Sequence, residues 1–270
     1  MNLTERPAGA ATTPIAEVKH VIAVMSGKGG VGKSLVSGLL AMGLRRRGYA
    51  VGILDADITG PSIPKMFFPN GAFPQAAIEG LLPPVTAGGL KIMSINLLLT
   101  NEDQAVIWRG PLISSAIRQF WDEVVWGKLD YMVVDLPPGT SDASLTTLQS
   151  LPMSGVVLVT SPQDLAGMVV RKAAHMVKQL EAPILGLVEN MSYFECPDNG
   201  RRYEIFGPSH AEETAAKLGT HLLGCLPILP ELAALSDSGA IESYTGDIFT
   251  PIADELIRVA PPARPALMPK

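Results

Sequence analysis

The chain has 270 residues, 21 Lys and Arg against 26 Asp and Glu, and two cysteines. A hydrophobic fraction of 47% with 17% charged residues describes a globular protein and excludes a disordered one. The net charge of −5 argues against a broad nucleic-acid surface, and two cysteines exclude both a disulfide framework and a four-Cys site within one chain.

Residues 1–19 mix Pro, Ala and Thr without periodicity and read as a flexible arm, lacking the basic start and apolar run of a secretory signal. Val21 to Met25 is the first of several continuous apolar runs. Val51 to Leu54, Ile92 to Ile95, Met132 to Val134, Gly155 to Val159 and Ile184 to Val188 follow it. Such runs are typical of parallel strands buried on both faces. Helical spacing marks Ser34 to Arg47, Leu165 to Leu180 and Ala211 to Leu218, and Leu222 to Leu226 reads as a late strand. Pro61 to Gly89 reads as loops and short pieces beside the sheet, and Pro261 to Lys270 as a proline-punctuated tail. Strand then helix, repeated, predicts an α/β fold: a mostly parallel twisted sheet between two helical layers. With no internal repeat and no strong linker, residues 20–260 read as one domain. No run reaches the roughly 18 apolar residues of a membrane span, and free thiols fit a reducing compartment, so a soluble cytoplasmic protein is expected.

The decisive motif is Ser26-Gly27-Lys28-Gly29-Gly30-Val31-Gly32-Lys33-Ser34, between the first strand and the first helix. It matches G-x-x-x-x-G-K-[ST], the phosphate-binding loop. Glycines let backbone N–H groups turn toward phosphate oxygens, and the helix N-terminus adds a favourable dipole. Lys33 can reach the β- and γ-phosphates of ATP, and Ser34 can hold Mg²⁺. Asp55 and Asp57 follow the second strand. Asp57 could position an attacking water and Asp55 could support the Mg²⁺ shell, a reading that the preceding loop favours over that of turn or cap residues. Tyr131 to Asp135 is an apolar strand ending in a carboxylate, which would hold Mg²⁺ through water. Gly139, in Leu136-Pro137-Pro138-Gly139-Thr140-Ser141-Asp142, can offer an N–H to the γ-phosphate, or simply make a turn.

The loop's extra lysine, Lys28, gives a pattern that resembles the deviant phosphate loop of the MinD/ParA/nitrogenase-iron-protein class. That resemblance implies a face-to-face homodimer in which Lys28 reaches the partner's nucleotide. It also implies that Asp57 lies in switch I at the hydrolytic position. Trp108-Arg109-Gly110-Pro111, Asp135 to Asp142, and Glu189-Asn190-Met191-Ser192-Tyr193-Phe194-Glu195-Cys196-Pro197 resemble the Mrp/ApbC group of iron–sulfur cluster carrier and scaffold ATPases. The likeness runs from about Val21 to Thr245. It implies an adenine contact at Asn190, a base-covering loop at Pro227, and iron–sulfur apoproteins or assembly proteins as partners.

In that group two cysteines in a Cys-Pro-x-Cys pattern ligate the cluster. Here Cys196 keeps the first position and Asn199 stands at the second. A cluster bridged between subunits would therefore draw one thiolate from each chain, with other ligands completing it. Cys225, in an apolar strand, reads as core. A positioning or regulatory ATPase, or a metal-insertion chaperone, would share the same loop. The proline-broken tail cannot form a membrane-targeting amphipathic helix, and Arg45-Arg46-Arg47 fits a helix C-terminus better than a DNA patch.

Overall fold

The computed structural model describes residues 16–57, 60–98 and 110–264. The side chains of residues 110–114 and 164–166 fall outside that description, as do Ile58, Thr59, Trp108 and Arg109.

A seven-stranded parallel sheet forms the middle layer. Its strands are β1 (Ala16–Ser26), β2 (Val51–Asp55), β5 (Lys91–Ser94), β6 (Gly127–Asp135), β7 (Gly155–Thr160), β8 (Ile184–Glu189) and β11 (Leu222–Cys225). They lie in the order β11-β8-β7-β1-β6-β2-β5. Two hairpins stand outside it, β3 (Gln75–Ala77) with β4 (Gly80–Leu82) and β9 (Phe194–Glu195) with β10 (Arg202–Tyr203).

Side-chain alternation along β1 shows why the central strands are apolar throughout. Ile22 and Val24 point into one core with α1 (Lys33–Arg46), α2 (Ile63–Phe67), α7 (Pro230–Asp237) and α8 (Thr250–Val259). Val21, Ala23 and Met25 point into the other, with α3 (Gly110–Glu123), α4 (Asp142–Ser150), α5 (Asp164–Gln179) and α6 (Ala211–Leu218). Both faces are covered, which favours apolar side chains on each and confines the buried polar ones to the strand ends. Met66 and Phe67 belong to the first core, and Phe68 packs against it.

The expected arm over residues 1–19 is too long. β1 begins at Ala16, because β6 extends back to Gly127 and offers it a partner: Ala16 pairs with Gly127 and Val18 with Leu129. Residues 16–20 alternate half-buried and exposed, and Lys19 reaches Asp130 at 2.8 Å. The tail is anchored at its start, since Ala263 N–H donates to the Lys19 carbonyl at 2.7 Å and His20 Nδ1 lies 2.8 Å from the Pro261 carbonyl. The Pro61 to Gly89 stretch contains α2 and the β3–β4 hairpin, short pieces as expected.

The connections diverge at β1: the chain passes from β1 to β2 on one side of it and later from β6 to β7 on the other. In open α/β sheets the crevice beyond the carboxyl ends at such a point is where ligands bind.

Candidate nucleotide site

The loop after β1 ends at Gly32, which caps α1 in the left-handed conformation at φ 77°. A Cβ there would overlap the Asn190 amide nitrogen as well as strain the backbone. No side chain caps α1, so its first N–H groups and its positive dipole end face the crevice. Around Gly29 and Gly30 there is open space, with nothing within 4 Å of a Cβ built on either. This is a cradle of the kind a phosphate group fits. Gly27 shows the opposite constraint: a Cβ would sit 2.5 Å from the Val170 nitrogen, so the loop lies directly on the α5 backbone.

Beneath the cradle Asp135, fully buried at the end of β6, gathers three donors. Lys33 Nζ lies 2.7 Å and Ser34 Oγ 2.6 Å from its Oδ2, and Ser37 Oγ lies 2.6 Å from its Oδ1. Lys33 Nζ is also 3.7 Å from Asp57 Oδ2. Asp55 accepts the Asp57 N–H at 3.1 Å and the Ser94 hydroxyl at 3.2 Å. Burial, then the neighbouring Asp135 charge, pushes the Asp55 carboxyl up to about 8, against the pull of Lys33. The structure thus brings Lys33, Ser34, Asp55, Asp57 and Asp135 into one cluster. Their hydroxyl and carboxylate oxygens are the donor set a hard cation such as Mg²⁺ takes.

The remaining predicted residues make other contacts. Gly139, at φ 80°, donates its N–H to the Ser26 carbonyl at 2.9 Å, so presenting it to a phosphate requires that bond to open. Asn190 is buried and donates from Nδ2 to the Val31 carbonyl at 3.0 Å. Pro227 sits between Leu226 N–H, bonded to the Glu189 carbonyl, and Ile228 N–H, bonded to the Tyr193 carbonyl. The loops that follow β8 and β11 are therefore zipped together. Lys28 is turned along the surface, with its Nζ 2.6 Å from Gln163 Oε1.

Cys196 lies apart, at the end of the β9 strand. Its N–H donates to the Arg201 carbonyl at 2.9 Å, and its carbonyl accepts from Gly200 N–H at 2.8 Å. Asn199 Oδ1 accepts the Arg201 N–H at 2.9 Å, so this residue braces the turn. Among the described residues no group of three His, Cys, Asp or Glu side chains gathers around Cys196 as a metal site. Cys225 is half-buried and its thiol is pushed up by that burial, as a packing cysteine would be.

Sequence reasoning missed Ser37 and Ser94. Ser37 stands one helical turn after Lys33, a spacing that places both on one face of α1 and could have revealed it. Ser94 ends β5, and nothing local links it to Asp55.

Fold and cluster together define a P-loop NTPase: a parallel sheet, an uncapped helix behind a glycine loop, and a lysine and strand-end aspartate meeting beneath it. The family described as "ParA: NUBPL iron-transfer P-loop NTPase" matches residues 17–258, and the chain belongs to that family. The iron-sulfur cluster carrier protein of Aquifex aeolicus is 47% identical over 222 residues, covering 82% of this chain. The chain spans only 61% of that relative's length. The protein of the same name from Methanocaldococcus jannaschii is 46% identical over 226 residues, covering 83% of this chain and 78% of its own. Among solved structures, a nucleotide-binding protein from Archaeoglobus fulgidus in complex with ADP superposes with a TM-score of 0.76 at 46% identity, over 86% of this chain and 91% of its own.

Proposed function

We propose that this chain is an ATP-dependent homodimeric carrier that binds iron–sulfur clusters and passes them to apoproteins, acting in the cytoplasm through one ATPase domain over residues 20–260. The observation that carries the reading is the cradle itself: an uncapped α1 N-terminus opening onto free space at Gly29 and Gly30, over the Lys33–Asp135 pair. The names of the Aquifex and Methanocaldococcus relatives support the cargo, and the ADP complex of the Archaeoglobus protein supports the nucleotide.

Lys33 exchanges its partner Asp135 for the β- and γ-phosphate oxygens. Ser34 and Asp135, freed of that lysine, are the groups that would hold Mg²⁺, with Asp55 supporting the shell. Bound Mg²⁺ would supply charge neutralisation on the transferring phosphoryl group. Asp57 orients the attacking water, and Gly139 turns its N–H from Ser26 toward the γ-phosphate. Asn190 and the Pro227 loop hold the base. Lys28 reaches the nucleotide of the partner chain.

The cluster is cargo, held between two chains by one Cys196 thiolate from each. Asn199 is a poor donor to a soft metal and is already committed to the turn. Iron and sulfide reconstitution under anaerobic conditions tests this. The wild-type chain is expected to take up iron with charge-transfer absorbance, and the Cys196→Ser variant to stay at background. Equal iron in the two proteins would remove Cys196 as ligand.

A further inference from the structure

Three features converge on the side chain of Lys28. The Ser26 hydroxyl donates to the Lys28 carbonyl at 2.9 Å and fixes its backbone. Gly27 lies against the backbone of Val169 and Val170, so the loop and α5 hold a fixed register. Gln163 stands at the N-cap of α5, yet its side chain makes no capping bond. It turns instead to Lys28, at 2.6 Å. Glutamine is not a favoured N-cap residue, so helix capping does not account for it.

We infer that Gln163 is a positioning residue for Lys28, holding the loop's second lysine on its own chain until a nucleotide-loaded partner takes it. This rests on the proposed role of Lys28 in the dimer. A lysine bound in cis is unavailable in trans, and the two contacts compete for one ammonium group. Association then requires the Lys28–Gln163 bond to be exchanged for a phosphate contact. A charged partner makes the stronger hydrogen bond, so the exchange runs toward the dimer only when nucleotide is present. In its absence the latch keeps Lys28 from making unproductive contacts.

Two readouts on the full chain test the idea. The first is trace acetylation of Lys28 in nucleotide-free protein, quantified by mass spectrometry. Gln163→Ala is expected to raise Lys28 labelling, and Gln163→Glu, which adds a charge to the latch, to lower it. The second is sedimentation with the non-hydrolysed analogue AMPPNP. Gln163→Ala is expected to lower the dimer dissociation constant about two- to tenfold, the span a net hydrogen bond is worth. Gln163→Glu should raise it, and added salt should relieve that increase. Equal labelling in all three proteins overturns the latch. Weaker association of Gln163→Ala also overturns it, by making Gln163 a dimer contact. Lys28→Ala associating like wild type refutes the trans role of the lysine instead, whatever the labelling shows.

Discussion

Lys33 is buried and faces Asp135 at 2.7 Å and Asp57 at 3.7 Å, with Asp55 in the same pocket. Lys33→Ala removes the ammonium group and leaves these carboxylates together. Removing one partner of a buried pair costs about 3–5 kcal/mol. For a domain of this size that is a fall in Tm on the order of 6–20 °C. The loss depends on pH, and its sign follows from the protons. Without Lys33 the native carboxylates hold protons to higher pH than they do unfolded. The native state therefore binds more protons across the interval from the unfolded carboxylate range to the raised one. Stability in that interval falls as pH rises. Asp55 already behaves this way in the wild type, with its carboxyl near 8. The variant adds a second such group. Moving from pH 8 to pH 6 should recover at most about 2.7 kcal/mol for one extra bound proton, at about 1.36 kcal/mol per pH unit. Denaturant unfolding of nucleotide-free protein at the two pH values measures this. A variant as stable as wild type at pH 8 would refute the electrostatic account of the cluster, and the same deficit at both pH values would refute its proton linkage.

Gly32→Ala forces φ 77° on an alanine and drives a methyl into Asn190, so a stability loss of about 2 kcal/mol and loss of nucleotide affinity are expected. Calorimetric titration with ATP checks it, and wild-type affinity contradicts it. Asp57→Ala should bind ATP and hydrolyse it at least tenfold more slowly by phosphate release, since proton-handling groups contribute about 10²–10⁴-fold; undiminished turnover excludes the role. Asp55→Asn keeps the shape but cannot ionise, so its stability should vary less than that of the wild type between pH 4 and 8, with the gain greatest at pH 8. Parallel pH profiles for the two proteins would show that Asp55 does not titrate in that range.

The phosphate loop was legible because its chemistry is local. Nine consecutive residues carry the glycines, the lysines and the hydroxyl, and the strand before and helix after them are visible in the hydrophobic pattern. Asp135 was legible for the same reason, at the end of a continuous apolar run. The partners of these residues were not. Ser37 meets Asp135 across 98 positions, Ser94 meets Asp55 across 39, and Gln163 meets Lys28 across 135. Those distances close only once strand order is known, and β6 lying between β1 and β2 cannot be read from spacing. The start of β1 was missed because residues 16–20 alternate rather than run apolar. Their strand state comes from pairing with β6, not from their own hydrophobicity. α8 was missed because Pro251 in its first turn punctuates the pattern; its Ile252, Ala253 and Leu256 make a buried stripe against α1, β11 and β8.

The same separation of local from long-range causes bears on Cys196. Its turn closes through backbone bonds between Cys196, Gly200 and Arg201 and through the Asn199 side chain, and none of these needs a metal. Asn199 therefore substitutes structurally for whatever a ligand at its position would contribute to the turn, without substituting for its thiolate. A hairpin formed in advance would present Cys196 to the proposed cargo at little ordering cost. In the proposed dimer each chain would offer one thiolate and a two-fold axis would double it to two, half of what an iron–sulfur cluster takes from protein in its usual four-cysteine sites. Such a site would hold its cargo with open or exchangeable positions, where an incoming acceptor thiolate could bind before the carrier lets go. On this reading the missing second cysteine favours transfer over storage. Restoring it with Asn199→Cys should increase iron retained after reconstitution and slow its passage to an apo-ferredoxin acceptor; faster passage at higher retention would break the link between ligand count and release.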